Sequence, residues 1–194
     1  DFTWQSFQSI INKDLADVLG NFVSRLTKFT ISKFGTQIPE GKPYSQKELD
    51  TISEIEDLYR KYDLAMSKIE IRKATSHLRK IWSIGNEYLQ SSQPWVVIKS
   101  DKAETARIIK FGFNLMLFFG EISEPFIPET SAKIKGCFRK LEDKIPSSFF
   151  SGDFRNNFEI IKFGEDFKPI ANLFKKIEDK EALDLEERFR GNDD

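Results

Sequence analysis

Ile108-Ile109-Lys110-Phe111-Gly112-Phe113-Asn114-Leu115-Met116-Leu117-Phe118-Phe119 is the stretch that decides the fold. Ser100 or Asp101 can cap a helix that carries this run on to about Ile122. Its apolar side chains point almost all round the helix axis. A helix that is apolar on every side is the central one of a bundle. The run Phe111 to Phe119 is interrupted by Gly112 and Asn114 and is far too short to span a bilayer, which argues against membrane insertion. The expected fold is all-α: a bundle of about five helices, a C-terminal segment wrapped over it, and a terminal helix.

The flanking sequence supplies the helices that such a centre requires. Thr3 fits an N-cap for a first helix from about Trp4 to Phe34, with a break near Asn12. Leu15, Leu19, Phe22, Leu26 and Phe29 recur at the spacing of one buried face. Asn21, Arg25, Lys28 and Ser32 form a polar face one step round. Gly35 follows the end of this helix, and Ile38-Pro39-Glu40-Gly41-Lys42-Pro43 reads as a loop. Ser45-Gln46-Lys47-Glu48 is a capping box opening a second helix to about Met66, with Leu49, Ile52, Ile55, Tyr59 and Tyr62 inward. Ser67-Lys68-Ile69-Glu70 repeats the pattern and is expected to open a third helix. That helix buries Ile71, Ala74, Leu78, Ile81, Trp82, Gly85 and Leu89, with Arg72, Lys73, Arg79 and Lys80 opposite. It ends before Pro94, because the residue preceding proline avoids helical angles.

Beyond the central run, Pro125-Phe126-Ile127-Pro128 breaks the chain. Pro128 suits the first position of a fifth helix that buries Ile134, Cys137, Phe138 and Leu141. From Pro146 the periodicity fades. Phe149, Phe150, Phe154, Phe158, Ile160, Ile161, Phe163 and Phe167 are too apolar for a free linker and are expected to cover the bundle or a neighbour. An acidic helix from about Glu181 to Arg190 precedes Gly191-Asn192-Asp193-Asp194. The division expected is residues 1–145 as the bundle and residues 146–194 as an extension. No internal repeat, low-complexity tract or sustained heptad is present.

The chain has 194 residues and a net charge of −1, so no global basic field marks a nucleic-acid partner. Charge is uneven, however. Residues 178–194 hold eight acids against three bases, net −5, which leaves +4 for the rest. One Cys and one His, Cys137 and His77, exclude an intrachain disulfide and are too few for a cysteine or histidine metal site or a nucleophile–base pair. Cys137 reads as a small core residue and His77 as a helix-surface or satisfied core residue. The lone cysteine suits a reducing compartment, and no signal peptide is seen. The chain opens on Asp1 and is expected to be a piece of a longer one. Neither a G-x-x-x-x-G-K-[ST] nor a G-x-G-x-x-G pattern occurs, so no catalytic residues and no metal or cofactor are expected in these residues.

One set of residues offers binding chemistry. Asn21 and Arg25, four apart, share one helical turn in Leu19-Gly20-Asn21-Phe22-Val23-Ser24-Arg25. Arg supplies a planar fork of donors and Asn both donates and accepts. Trp95, directly after Pro94, is a flat ring at a point where a helix must stop. Stacking plus edge hydrogen bonds is how unpaired RNA bases are held. Lys28, Lys99 and Lys102 are candidate phosphate contacts, and Asn86 either steadies the loop or faces water. The plainer alternative is a solvated polar face and a core tryptophan. Pattern alone favours that alternative.

Four segments, in order, resemble the anticodon-binding domain of methionyl-tRNA synthetases. They are Leu19-Gly20-Asn21-Phe22-Val23-Ser24-Arg25; Ala74, Trp82, Asn86-Glu87-Tyr88 and Pro94-Trp95; Pro125-Phe126-Ile127-Pro128-Glu129-Thr130; and Leu173-Phe174-Lys175-Lys176-Ile177-Glu178. The likeness spans nearly all of residues 10–178. It departs at Lys175, where the family usually has proline, and this leaves the local turn open. The resemblance implies that Asn21 and Arg25 read anticodon bases and that a base of the CAU anticodon of tRNA-Met stacks on Trp95. Lys28, Asn86 and Lys99 would support the RNA. It implies a cytoplasmic ligase whose ATP, magnesium and methionine are handled by an N-terminal catalytic domain, since neither H-I-G-H nor K-M-S-K-S occurs here. Two alternatives stand beside it: the helical domain of a leucine, isoleucine, valine or cysteine enzyme, and a helical protein-interaction module without RNA.

Overall fold

The computed structural model describes residues 2–138 and 153–189. The first helical passage runs through α1 (Trp4–Ser9), a π-helical stretch (Ile10–Gly20) and α2 (Asn21–Phe34). Then come α3 (Gln46–Ser67), α4 (Ile71–Ser92), the single turn α5 (Pro94–Val97), α6 (Lys102–Ser123) and α7 (Pro128–Lys135). A 3₁₀ turn (Phe154–Phe158) and α8 (Asp179–Phe189) complete the described elements. No strand occurs among the described residues; two isolated bridges, Gln37–Asp166 and Phe138–Phe167, tie loops together.

α6 is the centre that its composition demands. Asp101 caps it by accepting from the Glu104 amide, and from Ile108 to Gly120 the helix is buried on all sides. Phe22 of α2 meets Phe119 with ring centroids 5.2 Å apart, and Phe118 meets Phe158 at 5.0 Å. Each fully buried Phe contributes roughly 1.5–3 kcal/mol over leaving it exposed. α4 lies so close to α2 and α6 that a Cβ at Gly85 would stand 2.7 Å from the Phe119 ring and 2.9 Å from the Phe22 ring.

Asn114 is not a defect in the apolar run. Its side chain is fully buried and pairs with a backbone: its Oδ1 accepts from the Ile161 amide at 2.9 Å, and its Nδ2 donates to the Ile161 carbonyl at 3.0 Å. The C-terminal segment therefore sits on α6 through an amide acting like a paired strand residue, with Phe158, Ile161 and Phe167 packed in the same core. Phe149, Phe150 and Leu141 lie outside the described residues. Glu48, also fully buried, closes the capping box with Ser45, accepts from Tyr88 Oη at 2.5 Å and faces Arg107 Nε at 3.3 Å. Local capping and long-range packing thus meet in one carboxylate.

The structure corrects the sequence-based expectations in four places. The helix does not break near Asn12; it widens into π-helical turns. The expected box at Ser67–Glu70 does not form. Ser67 Oγ is turned back onto the Leu64 carbonyl, Ile69 takes a left-handed φ of 58°, and α4 begins only at Ile71 without a side-chain cap. Ile71 is consequently exposed, not buried. α7 ends at Lys135, so Cys137 and Phe138 reach the core from the turn that follows.

Candidate nucleic-acid interface

The first helical passage and α4 form an open cleft of about 590 Å³. It is lined by Asp17, Val18, Asn21 and Arg25 on one side and by Ser83, Asn86, Glu87, Gln90 and Ser91 on the other. Phe22, Val23 and Leu26 anchor the buried face of α2, which leaves Asn21 exposed and Arg25 half-exposed on the cleft side. The opposite wall follows from helical spacing: Ser83, Asn86 and Gln90 recur three and four residues apart along the polar face of α4.

Trp95 is placed by a sharp end to α4. Gln93 takes a left-handed φ of 44° and serves as the last cap of α4 and the first of α5. A non-glycine residue there costs roughly 1–2 kcal/mol. The Val96 and Val97 amides, donating to the Gln93 carbonyl at 2.8 and 3.0 Å, help to hold it. Pro94 starts α5, and Trp95 comes to lie half-buried against the core.

Tertiary structure brings Arg25 and Trp95 together. The guanidinium carbon lies 4.7 Å from the indole centroid, and Arg25 Nη2 points to Gln90 Oε1 at 3.4 Å. A planar guanidinium stacks readily on an aromatic face, so this ring accepts a flat polar group. Trp95 does not itself line the cleft; Arg25 links it to exposed amides that do, Asn21 and Gln90, able to donate and accept at a ring edge. Asn86 neither steadies the loop nor simply faces water: its Nδ2 donates to the Val18 carbonyl at 2.9 Å and bolts the two walls together. Lys28 and Lys99 are exposed and do not line the cleft. Asp17, the acid on the α2 side, is paired with Lys176 at 2.7 Å.

Gln90, Ser83 and Asp17 were not singled out in the sequence. The signal that finds Gln90 is its place one turn beyond Asn86. A neighbouring groove of about 660 Å³ between α3 and α4 shares Val18, Ser83 and Glu87 with the cleft. It mixes Glu54 and Asp57 with Lys61, Arg79 and Lys80 and has no aromatic platform. His77, on the same helix, is kept below its ordinary pKa by burial and by Lys80 and Lys61. Among the described residues, no group of three or more His, Cys, Asp or Glu could hold a metal ion. None of the described helices is long and apolar enough to cross a membrane.

The fold matches solved methionyl-tRNA synthetases of Mycobacterium tuberculosis. The apo form aligns with a TM-score of 0.74 at 17% identity, covering 91% of this chain and 35% of that one. A complex with methionyl-adenylate aligns with a TM-score of 0.65 at 18% identity, covering 88% and 33%. The architecture is thus that of an all-helical domain carried by a much longer synthetase chain. A family model described as the anticodon binding domain of methionyl tRNA ligase matches residues 38–194. The methionine–tRNA ligase of Roseobacter denitrificans is 41% identical over 191 residues, 98% of this chain and 32% of the relative. That of Dinoroseobacter shibae is 42% identical over 194 residues, 100% of this chain and 33% of the relative. This chain belongs to the methionyl-tRNA ligase anticodon-binding domain family, and it spans about a third of the length of the relatives it matches. Asn21, Arg25 and Lys28 precede the span of the family model but fall within the full-length alignment to the second relative.

Proposed function

We propose that the cleft between the first helical passage and α4 grips the anticodon loop of tRNA-Met, and that the longer protein is a cytoplasmic methionine–tRNA ligase. The observation that carries this is the Arg25 guanidinium 4.7 Å from the Trp95 ring, beside a cleft lined with amides. Trp95 is the platform for a base of the CAU anticodon. Asn21 and Arg25 reach the edges of the bases, Lys28 and Lys99 lie near the phosphates, and Asn86 fixes the wall. Residues 1–145 form the binding bundle, and residues 146–194 an extension that braces it. The part of the ligase outside these residues binds ATP with magnesium and methionine, and it attaches the amino acid at the far end of the tRNA.

The test is titration of a CAU anticodon stem-loop into the chain. Stacking contributes roughly 1–3 kcal/mol per base, so Trp95→Ala is expected to weaken affinity by about 5- to 150-fold while leaving the helical signal intact. Affinity is also expected to fall steeply with salt as phosphate contacts release counterions. Unchanged affinity in Trp95→Ala refutes the platform. A salt-independent interaction would instead favour a protein-binding module.

A further inference from the structure

Between α1 and α2 the chain keeps π-helical turns for 11 residues, Ile10–Gly20. Such turns are mostly brief and often sit at functional sites, so a run this long calls for support from outside the helix. One C-terminal segment supplies it. Asn12 donates from Nδ2 to the Ile177 carbonyl and accepts at Oδ1 from the Ile177 amide, both at 2.8 Å. Gln8 donates to the same carbonyl at 2.9 Å. Lys176 pairs with Asp17 at 2.7 Å. Phe174 packs so tightly on Gly20 that a Cβ there would stand 3.2 Å from the ring.

The far end of these turns is the cleft wall. Asp17 and Val18 line the cleft, the Val18 carbonyl receives Asn86, and Asn21 is the first residue of α2. α2 itself is pinned in the core by Phe22 and Leu26. A return of residues 10–20 to ordinary α-helical turns would therefore be absorbed at the junction with α2, turning Asn21 from its place on the cleft wall and carrying the Val18 carbonyl away from Asn86.

We propose that Asn12 is a positioning residue for the base-binding cleft: its two-point clamp on Ile177 holds the π-helical turns, and so sets Val18 and Asn21 opposite Asn86 and Gln90. This rests on the anticodon-binding assignment above. It makes the C-terminal segment part of the RNA site without touching RNA.

The experiment measures the affinity of the 194-residue chain for the CAU stem-loop in wild type, Asn12→Ala, Asn21→Ala, the double variant and Trp95→Ala, with thermal melts of each. Asn12→Ala is expected to weaken binding by roughly 3- to 10-fold, the range of one net hydrogen bond. In the Asn21→Ala background it should cost no further affinity, because both changes remove the same contact. A purely structural Asn12 would lower the melting temperature and leave affinity untouched, or act additively with Asn21→Ala; either result overturns the proposal. If Asn12→Ala does not fold, Asn12→Asp, which keeps acceptance from the Ile177 amide and loses the donation, takes its place with the same criteria. Unchanged affinity in Trp95→Ala overturns the anticodon assignment itself. Weakened Trp95→Ala with unchanged Asn12→Ala overturns only the positioning role.

Discussion

Replacing Asn114 by Leu tests what holds the C-terminal segment to the bundle. The substitution keeps size and apolar packing in α6 but orphans the Ile161 amide and carbonyl, which Asn114 satisfies at 2.9 and 3.0 Å. Ile161 is fully buried, so water cannot replace the lost partners. An unsatisfied buried polar group costs roughly 1–3 kcal/mol, so the two together cost roughly 2–6. Leu returns roughly 1–2 kcal/mol through added apolar burial and the removed amide's desolvation. The expected net loss is about 3 kcal/mol, or a melting temperature lower by roughly 6–12 °C for a chain of this size. Urea unfolding at 25 °C measures the loss, with Asn156→Leu on the exposed face of the 3₁₀ turn as a control expected to stay within about 0.5 kcal/mol of wild type. Limited proteolysis should cut Asn114→Leu faster between residues 153 and 178. An Asn114→Leu variant as stable as wild type would mean that apolar packing of Phe158 and Phe167, and not the Asn114 amide, holds the segment.

Two further expectations concern single ionisable groups. Burial pushes the Cys137 thiol up to about 12, so at pH 8 a disulfide-exchange reagent should label the urea-unfolded chain rapidly and the native chain hardly at all; prompt full labelling of the native chain would contradict this. The hydrogen bond from Lys42, then the Glu104 amide, hold the Asp101 carboxyl below its ordinary 3.8. A depressed native pKa stabilises the fold above the unfolded value and loses that effect as pH falls through the native value. Asp101→Asn keeps the cap and should flatten the decline of the urea midpoint below about pH 4; an acid limb as steep as wild type's would rule this out.

Some of this architecture is written locally. Asp101, Pro128 and the Ser45–Glu48 box start helices because capping groups act within one turn, and α6 is central because from Ile108 on it carries apolar side chains on every face. The same logic misleads at Ser67–Glu70. There two helices meet with too few residues between them, and α3 takes Ser67 for its own last turn. The widening at Ile10–Gly20 has no sequence period of its own, since the groups that hold it come from 160 or so residues away.

The sequence by itself determined the helices, the buried centre and the pairing of Asn21 with Arg25 on one turn, because each depends on spacing along a single helix. Tertiary structure alone decided that Arg25 lies on Trp95, that Asn86 bolts to Val18, and that Asn114 and Asn12 seize the backbone at Ile161 and Ile177. Those contacts join residues far apart in the chain. They exist only once burial of the phenylalanine core has brought their helices together.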